Sequence, residues 1–561
     1  MKVKEFLAVV VATIAVVVWG PAPHEVAAQG AAALTGVVSS QAEGHMEGVV
    51  VSARHEGANF TVSVVSDDSG TYSFPRTHLA PGAYAVTTRA VGYDLVDPGP
   101  VTVAAGAATT TGLTLQPTSD LAAQLSSIEW INSMNGTTEQ KDENVHQLLA
   151  CNYCHTYKRI MSSRHGAEQF MNVIDRMVRY YADGSAISDD NRRGRAARIQ
   201  EPGREFLEES PNWGFPGMPR TDVAEFFAMN NLSGGRTSHA YELQTDPRPT
   251  GKATRVIITE WDMPTPTTAS HDSAIDSKGV IWFTDESAQY LGSFDTQTST
   301  FKEYPMPALP PGVIPGTRDV IVDHDDNVWF PLRNEEGESI LTKFDPRTEQ
   351  LTIADGVASQ FIELGPDGKV WAGFRRIDPA TMKVDGTFNP DRPPVPRGSQ
   401  AYAGNVRVDS KGNPWMMSQA GPGGAMGVDI STGETMWHPI PGLTARRGTI
   451  DWRDRLWYGE YRSDRIAMFD TRTGQSIQWG LRPYMAPYTA SMPDRNGYVY
   501  APSNMAERLV RLDPQTGEII EYQMPTEFDT KKLNWDPTTD QPVLWMANMR
   551  TARITRVEPI D

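Results

Sequence analysis

Hydrophobic and polar positions alternate along the first part of this chain, and their period changes twice after it. Between Leu34 and Pro117, the segments GVVVSA (Gly48 to Ala53), FTVSVVS (Phe60 to Ser66), GTYSF (Gly70 to Phe74) and AYAVTTRA (Ala83 to Ala90) alternate with a period of two. Turns of DDSG, PG and GY type separate them, so the pattern predicts a small β-sandwich. From about Ser119 to Gly235 the period lengthens. In GAEQFMNVIDRMVRYYADG, Gly166 to Gly184, the residues Phe170, Val173, Ile174, Met177, Val178 and Tyr181 fall at helical spacing and form one apolar face. TDVAEFFAMNNL, Thr221 to Leu232, reads as a later helix that stops before Gly234 and Gly235. The rest of the chain repeats every 42 to 47 residues around an aromatic anchor: Trp282, Trp329, Trp371, Trp415, Trp457, Tyr500 and Trp545. Turns such as FDTQTSTF (Phe294) and LDPQTGEI (Leu512) follow several of the anchors. A four-stranded unit of this kind buries its faces only against its neighbours, so the repeat predicts seven blades closed into a β-propeller. The segment RVIITEWDMP, ahead of the first anchor, looks like the outer strands EYPMP and EYQMP and is expected to complete the last blade. The expected fold is therefore multidomain and mainly β: a sandwich over 34–117, a small all-α domain over 119–235 and a seven-bladed propeller over 254–561.

Composition adds little until the cysteines are placed. The 561 residues carry a formal charge of −18, with no Lys/Arg tract, which argues against a nucleic-acid partner. The only two cysteines fall in CNYCH, Cys151 to His155. In a C-x-x-C-H run the two thiols can add to the heme vinyl groups while the adjacent imidazole reaches the iron. The other readings are a simple disulfide, a thioredoxin-like pair and half of a zinc site. Zinc would need further Cys or His ligands at matching spacing, and a thioredoxin pair would sit in a βαβ pattern that the flanks lack. Near the N-terminus, Lys2 and Lys4 precede an apolar run of 14 residues, Phe6 to Trp19, and small residues lead to Ala27 and Ala28. This reads as a signal peptide over 1–28. It implies a periplasmic or secreted protein with no membrane span after cleavage, where heme c attachment is at home.

Three resemblances follow from these motifs. DDSGTYSF, LAPGAY and AVGY (Asp67 to Tyr93) resemble the carboxypeptidase regulatory-like domain, usually an accessory module. The early CNYCH and the loop GFPGMPRTD, Gly214 to Asp222, resemble a class I cytochrome c domain. That resemblance implies one covalent heme c with His155 on the iron and Met218 as sixth ligand; His165 is the main alternative, with Met161, Met171 and Met177 behind it. The repeats, with WFTDE at Trp282 as the best match, resemble the virginiamycin B lyase family. In that family histidines before the WFTE strand, a glutamate in it and a magnesium ion lie over the central channel. Here His271 supplies one histidine and Asp285 stands where the family has Glu, while the second histidine does not appear.

Counting eleven residues back from each anchor gives the expected inner-strand positions His271, Arg318, Gln360, Gly404, Arg446, Thr489 and Asn534. His271 and Asp285 are expected to act as base and orienter or to bind metal, with Arg446 beside them as a third candidate catalytic residue. Arg318, Arg446, Arg447, Lys531 and Lys532 gather cations near the channel. They would either hold an anionic ligand or heme propionate, or pair with Asp319, Asp272 or Glu460 and close it. Two functions are consistent with this reading. One is an exported electron-transfer protein or cytochrome-linked oxidoreductase whose propeller docks a redox partner or small-molecule substrate. The other is a metal-dependent lyase-type propeller with an accessory heme domain, or a propeller that serves only as a binding platform.

Overall fold

The computed structural model describes residues 31–141, 152, 155–182, 220–286, 288, 290–310, 313, 316–359, 361–391, 406–417, 424–440 and 445–560. The expected signal peptide, both cysteines and Met218 lie outside the described residues.

The alternating N-terminal segments form two sheets around a core that includes Leu34, Val38, Val51, Tyr72, Phe74 and Leu113. One sheet is built on Ala32–Ser40, which pairs with Thr71–Pro75 and Leu113–Pro117. The other runs through Phe60–Val65, Val50–His55, Gly82–Arg89 and Val101–Val103.

The C-terminal repeats form seven radial sheets, six of four strands and one of three. The three-stranded blade, the sixth, gains its inner segment through a bridge from Pro487 to Ser503 and a hydrogen bond from Ser491 N to Tyr500 O of 2.8 Å. Val256–Asp262 pairs antiparallel with Arg553–Pro559, so a strand from ahead of the first blade closes the seventh. A repeated device stiffens the blades. The indoles of Trp282, Trp329, Trp415, Trp457 and Trp545 donate to Asp276, Asp323, Asp409, Asp451 and Asp536 over 2.8–3.2 Å. The same aspartate oxygens or their twins cap the turn between the two strands, as Asp451 Oδ1 does for the N–H groups of Arg453 and Arg455. In the third blade Gly365 stands where the aspartate would be, and the buried Trp371 indole N–H has no hydrogen-bond partner.

The sandwich is not a separate accessory. Phe60–Val65 pairs antiparallel with Val256–Asp262, from Ile257 opposite Val64 to Trp261 opposite Phe60. One eight-stranded sheet therefore runs from the seventh blade into the sandwich. Val50 and Val65 of the sandwich are buried in the same apolar cluster as Tyr500, Leu509, Leu544 and Val557 of the propeller.

Four helices are described between these domains: α1 (Ser127–Ser133), α2 (Tyr157–Met161), α3 (Ala167–Ala182) and α4 (Arg220–Asn230). Ser126 and Glu129 form a reciprocal capping box that starts α1. On α3 the predicted apolar face is realised at Phe170 and Ile174, which pack with Phe227 of α4 in the cluster that also holds Ile128, Trp130 and Tyr157. That cluster continues into Met485, Ala501 and Met505 of the propeller, so the helices sit on the loops of its fifth and sixth blades. No helix among the described residues is long and apolar enough to cross a membrane.

Candidate functional site

Asn152 and His155 are the described residues of the CNYCH segment, and both are held by neighbouring elements. Ser127 Oγ on α1 donates to Asn152 Oδ1 over 2.6 Å and accepts from the Tyr157 N–H over 3.1 Å, tying the segment to the start of α2. His155 Nδ1 lies 3.0 Å from the Thr156 carbonyl oxygen. A carbonyl only accepts, so Nδ1 carries the proton. Donation from Nδ1 to a carbonyl is compatible with an axial imidazole. The Asn152 carbonyl accepts from the guanidinium of Arg550, which sits in the turn after Leu544–Asn548 of the seventh blade. Ile128 N donates to Met505 O over 2.9 Å, a second tether to the propeller.

His165 and Met161, the expected alternatives to Met218, are differently placed. His165 is exposed, with its ring edge against Phe170. Met161 is fully buried, and its sulfur accepts from the Tyr241 hydroxyl over 3.8 Å.

Arg550, Asn504, Asp529 and Lys531 lie in the turns that join middle strands or link one blade to the next. In an antiparallel blade these turns emerge on one face, the face that also carries His271 and Asp285. The CNYCH segment is thus seated on the same face as the channel candidates.

At that face the structure changes the expected pairing. His271 Nδ1 meets Asp272 Oδ2 at 3.0 Å. Asp285, expected as its orienter, instead accepts from the N–H groups of Ala269 and Ala288, each over 3.2 Å, and so shapes the turn after its own strand. The physical reason is a register irregularity between Ser270 and Ser273, which displaces residues 271 and 272 from simple alternation. The fifth blade has the matching irregularity between Ala445 and Gly448. Arg446 lies in that strand, its side chain outside the described residues, and it is Arg447 that reaches across.

Arg447 donates to Asp272 and lies 3.3 Å from Asp319 Oδ1, with its guanidinium 5.3 Å from the centre of the Phe361 ring. These four residues stand ten positions before their anchors, one step from the register counted in the sequence. Lys532 adds a contact of 3.3 Å to Asp319, and Arg318 pairs with Glu286 at 2.6 Å. Lys531 pairs with Asp529 at 2.5 Å. Asp272, Asp319 and Arg447 are 1%, 1% and 4% exposed, so these charges are buried. Burial pushes the Asp272 carboxyl up, but Arg447 and His271 beside it outweigh burial and hold it below the usual carboxylate range. The described cations thus pair with acids on this face. Among the described residues, no group of three or more His, Cys, Asp or Glu side chains is arranged to hold a metal ion.

Glu460, one expected partner of the arginine pair, is engaged elsewhere. Gln478 Nε2 donates to it over 2.7 Å and Arg465 stands 3.6 Å away. Burial raises its pKa to about 7, against weaker lowering by these two neighbours. A carboxyl raised in the folded state costs stability as pH climbs from the unfolded value, about 4.3, to the folded one. Glu460→Gln is therefore expected to stabilise the protein at pH 8 by up to about 3 kcal/mol and to have little effect at pH 4, measured by urea unfolding at both values.

Comparison with known proteins bears on the two ends of the chain. Residues 33–116 match the carboxypeptidase regulatory-like domain. The described strands over those residues form the sandwich. Among solved structures, virginiamycin B lyase from Staphylococcus aureus aligns at 18% identity over 54% of this chain and 99% of that one, with a TM-score of 0.44. A streptogramin B lyase structure aligns at 18% over 55% and 99%, TM-score 0.45, and hydrazine synthase from Kuenenia stuttgartiensis at 12% over 54% and 98%, TM-score 0.42. A search of curated proteins returned no match. The propeller assignment rests on the strand pairing itself.

Proposed function

We propose that this is an exported c-type cytochrome in which a heme-bearing helical module is mounted on the channel face of a β-propeller and exchanges single electrons with a redox partner. The observation that carries the proposal is the seating of CNYCH: Asn152, between the two cysteines, is clamped by Ser127 and by the propeller's Arg550, and His155 Nδ1 donates to the Thr156 carbonyl. When bound, the heme supplies one-electron chemistry at its iron. His155 would supply the proximal imidazole and Cys151 and Cys154 the covalent bonds. Met218 or His165 would be the sixth ligand. Phe170, Ile174 and Phe227 would keep water from the module's interior, and Arg550 fixes the module against the propeller. The signal-like pattern of Lys2, Lys4 and Phe6 to Trp19 supports export to the periplasm or outside the cell.

The burial of His271 favours a docking role for the propeller over lyase chemistry, because the ring is 1% exposed and paired to a carboxylate that Arg447 also holds. Co-expression with a heme c maturation system tests the proposal. Cys151→Ala and Cys154→Ala are each expected to change the hemochrome band from that of heme attached through two thioethers. The double variant is expected to lose heme staining on a denaturing gel, and staining retained by the double variant would defeat the proposal. Spectra of Met218→Ala and His165→Ala then assign the sixth ligand.

A further inference from the structure

The sandwich, the helical module and the propeller meet around a cavity of about 280 Å³ that the proposed function does not use. Its lining comes from residues 88–91 of the sandwich, Lys158 of α2, and Glu507 and residues 525–527 of the propeller, among others. Four charged side chains line it, and their formal charges cancel: Arg89, Lys158, Glu507 and Glu527. Two of the four are committed to the fold. Arg89 pairs with Glu507 and donates to the carbonyls of Met524 and Thr526 over 2.8 and 3.2 Å. The other two are not. Among the described residues, the half-buried Lys158 and the exposed Glu527 make no ion pair, with each other or with any other group, and no side-chain hydrogen bond. One unpaired ammonium and one unpaired carboxylate thus line the same cavity beyond ion-pair distance of each other. A molecule carrying both charges can bridge that gap, with its carboxylate on Lys158 and its ammonium on Glu527, each through charge-assisted hydrogen bonds. Ala90, Val91, Leu125 and Pro525 add apolar lining. The volume lies at the small end of the range for ligand sites, about 300–1,000 Å³, which favours a compact molecule with a short aliphatic chain.

We infer that this three-domain junction is a binding site for a small zwitterion of the free α-amino acid class, with Lys158 and Glu527 as its two charge partners. The fixed Arg89–Glu507 pair forms a preorganised part of the wall and leaves the recognition of charge to the other two side chains. Lys158 follows His155 by three positions, so a bound zwitterion also fastens α2 to the propeller next to CNYCH. The inference does not depend on heme attachment.

The test is calorimetric titration of the full chain at pH 7 with L-alanine and L-leucine, and with acetate and methylammonium as probes that carry one charge each. At least one of the two amino acids is expected to bind with a dissociation constant below about 1 mM. Acetate and methylammonium are expected to bind at least about tenfold more weakly, since each makes only one of the two charged contacts. Lys158→Met and Glu527→Gln are each expected to weaken the amino acid about tenfold or more, and Lys158→Arg to retain most of the affinity. Binding of neither amino acid at about 10 mM overturns the inference, as does unchanged affinity in both Lys158→Met and Glu527→Gln. Acetate or methylammonium binding as tightly as the amino acid also overturns it, by showing a site for one charge only. None of these results bears on the proposed heme, which the hemochrome assay reads separately.

Discussion

Arg447→Ala is expected to destabilise the propeller by about 3–5 kcal/mol, the range for removing one partner of a buried ion pair. Arg447 is the only arginine or lysine paired with Asp272 among the described ion pairs, and it shares Asp319 with Lys532. It joins the fifth blade to the first and second across the channel mouth. Its loss leaves a buried carboxylate beside His271 and separates blades that no ladder connects. The effect has a pH signature. A carboxyl held low in the folded state contributes stability that is present above its unfolded value, about 3.9, and is lost as pH falls toward the folded value. In the variant Asp272 protonates more readily, which relieves the unpaired charge. The gap between wild type and variant is therefore widest near neutrality and narrows below about pH 4. Urea unfolding followed by tryptophan fluorescence reads it, and equal midpoints at pH 7 would show that the cluster contributes nothing.

Removal of residues 31–117 is expected to be as damaging, although a sandwich of this type reads as an accessory. The deletion strips the strand Phe60–Val65 from Val256–Asp262 and bares the edge of the closing blade. It removes Val50 and Val65 from the core they share with Leu544 and Val557. Full burial of one such side chain is worth about 1.5–3 kcal/mol. It also removes Arg89, which donates to Met524 O over 2.8 Å and pairs with Glu507, and Arg54, which pairs with Asp262 at 2.7 Å. The summed loss, about 5 kcal/mol or more, rivals the total stability of a typical domain. The truncated chain should be recovered as aggregate, and a soluble monomer with the wild-type midpoint would refute the fused-sheet account.

The blades were legible because their anchors recur with a period, and the closing strand because RVIITEWDMP shares the chemistry of the outer strands it replaces. The channel mouth was legible only to within one residue. Strand alternation puts neighbours on opposite faces, so a count of eleven residues back selects His271 and Arg446, while Asp272 and Arg447 enter the sequence reading only as members of a closing ion pair. The irregularities at Ser270–Ser273 and Ala445–Gly448 bring the neighbours into play, and they follow from backbone register that a single sequence does not print. Docking of the sandwich had a faint signal. FTVSVVS carries small or apolar side chains on both faces, as a strand covered on both sides does. The contact from Arg550 to Asn152 spans 398 positions and joins two domains, and no local pattern announces it.

The central claim, that CNYCH carries a heme on the propeller's channel face, is tested most directly by a pyridine hemochrome assay on the wild-type chain exported from cells that attach heme c. The account predicts one covalently bound heme per chain, with thioether bonds to both Cys151 and Cys154. A folded, exported protein with no hemochrome band would contradict it.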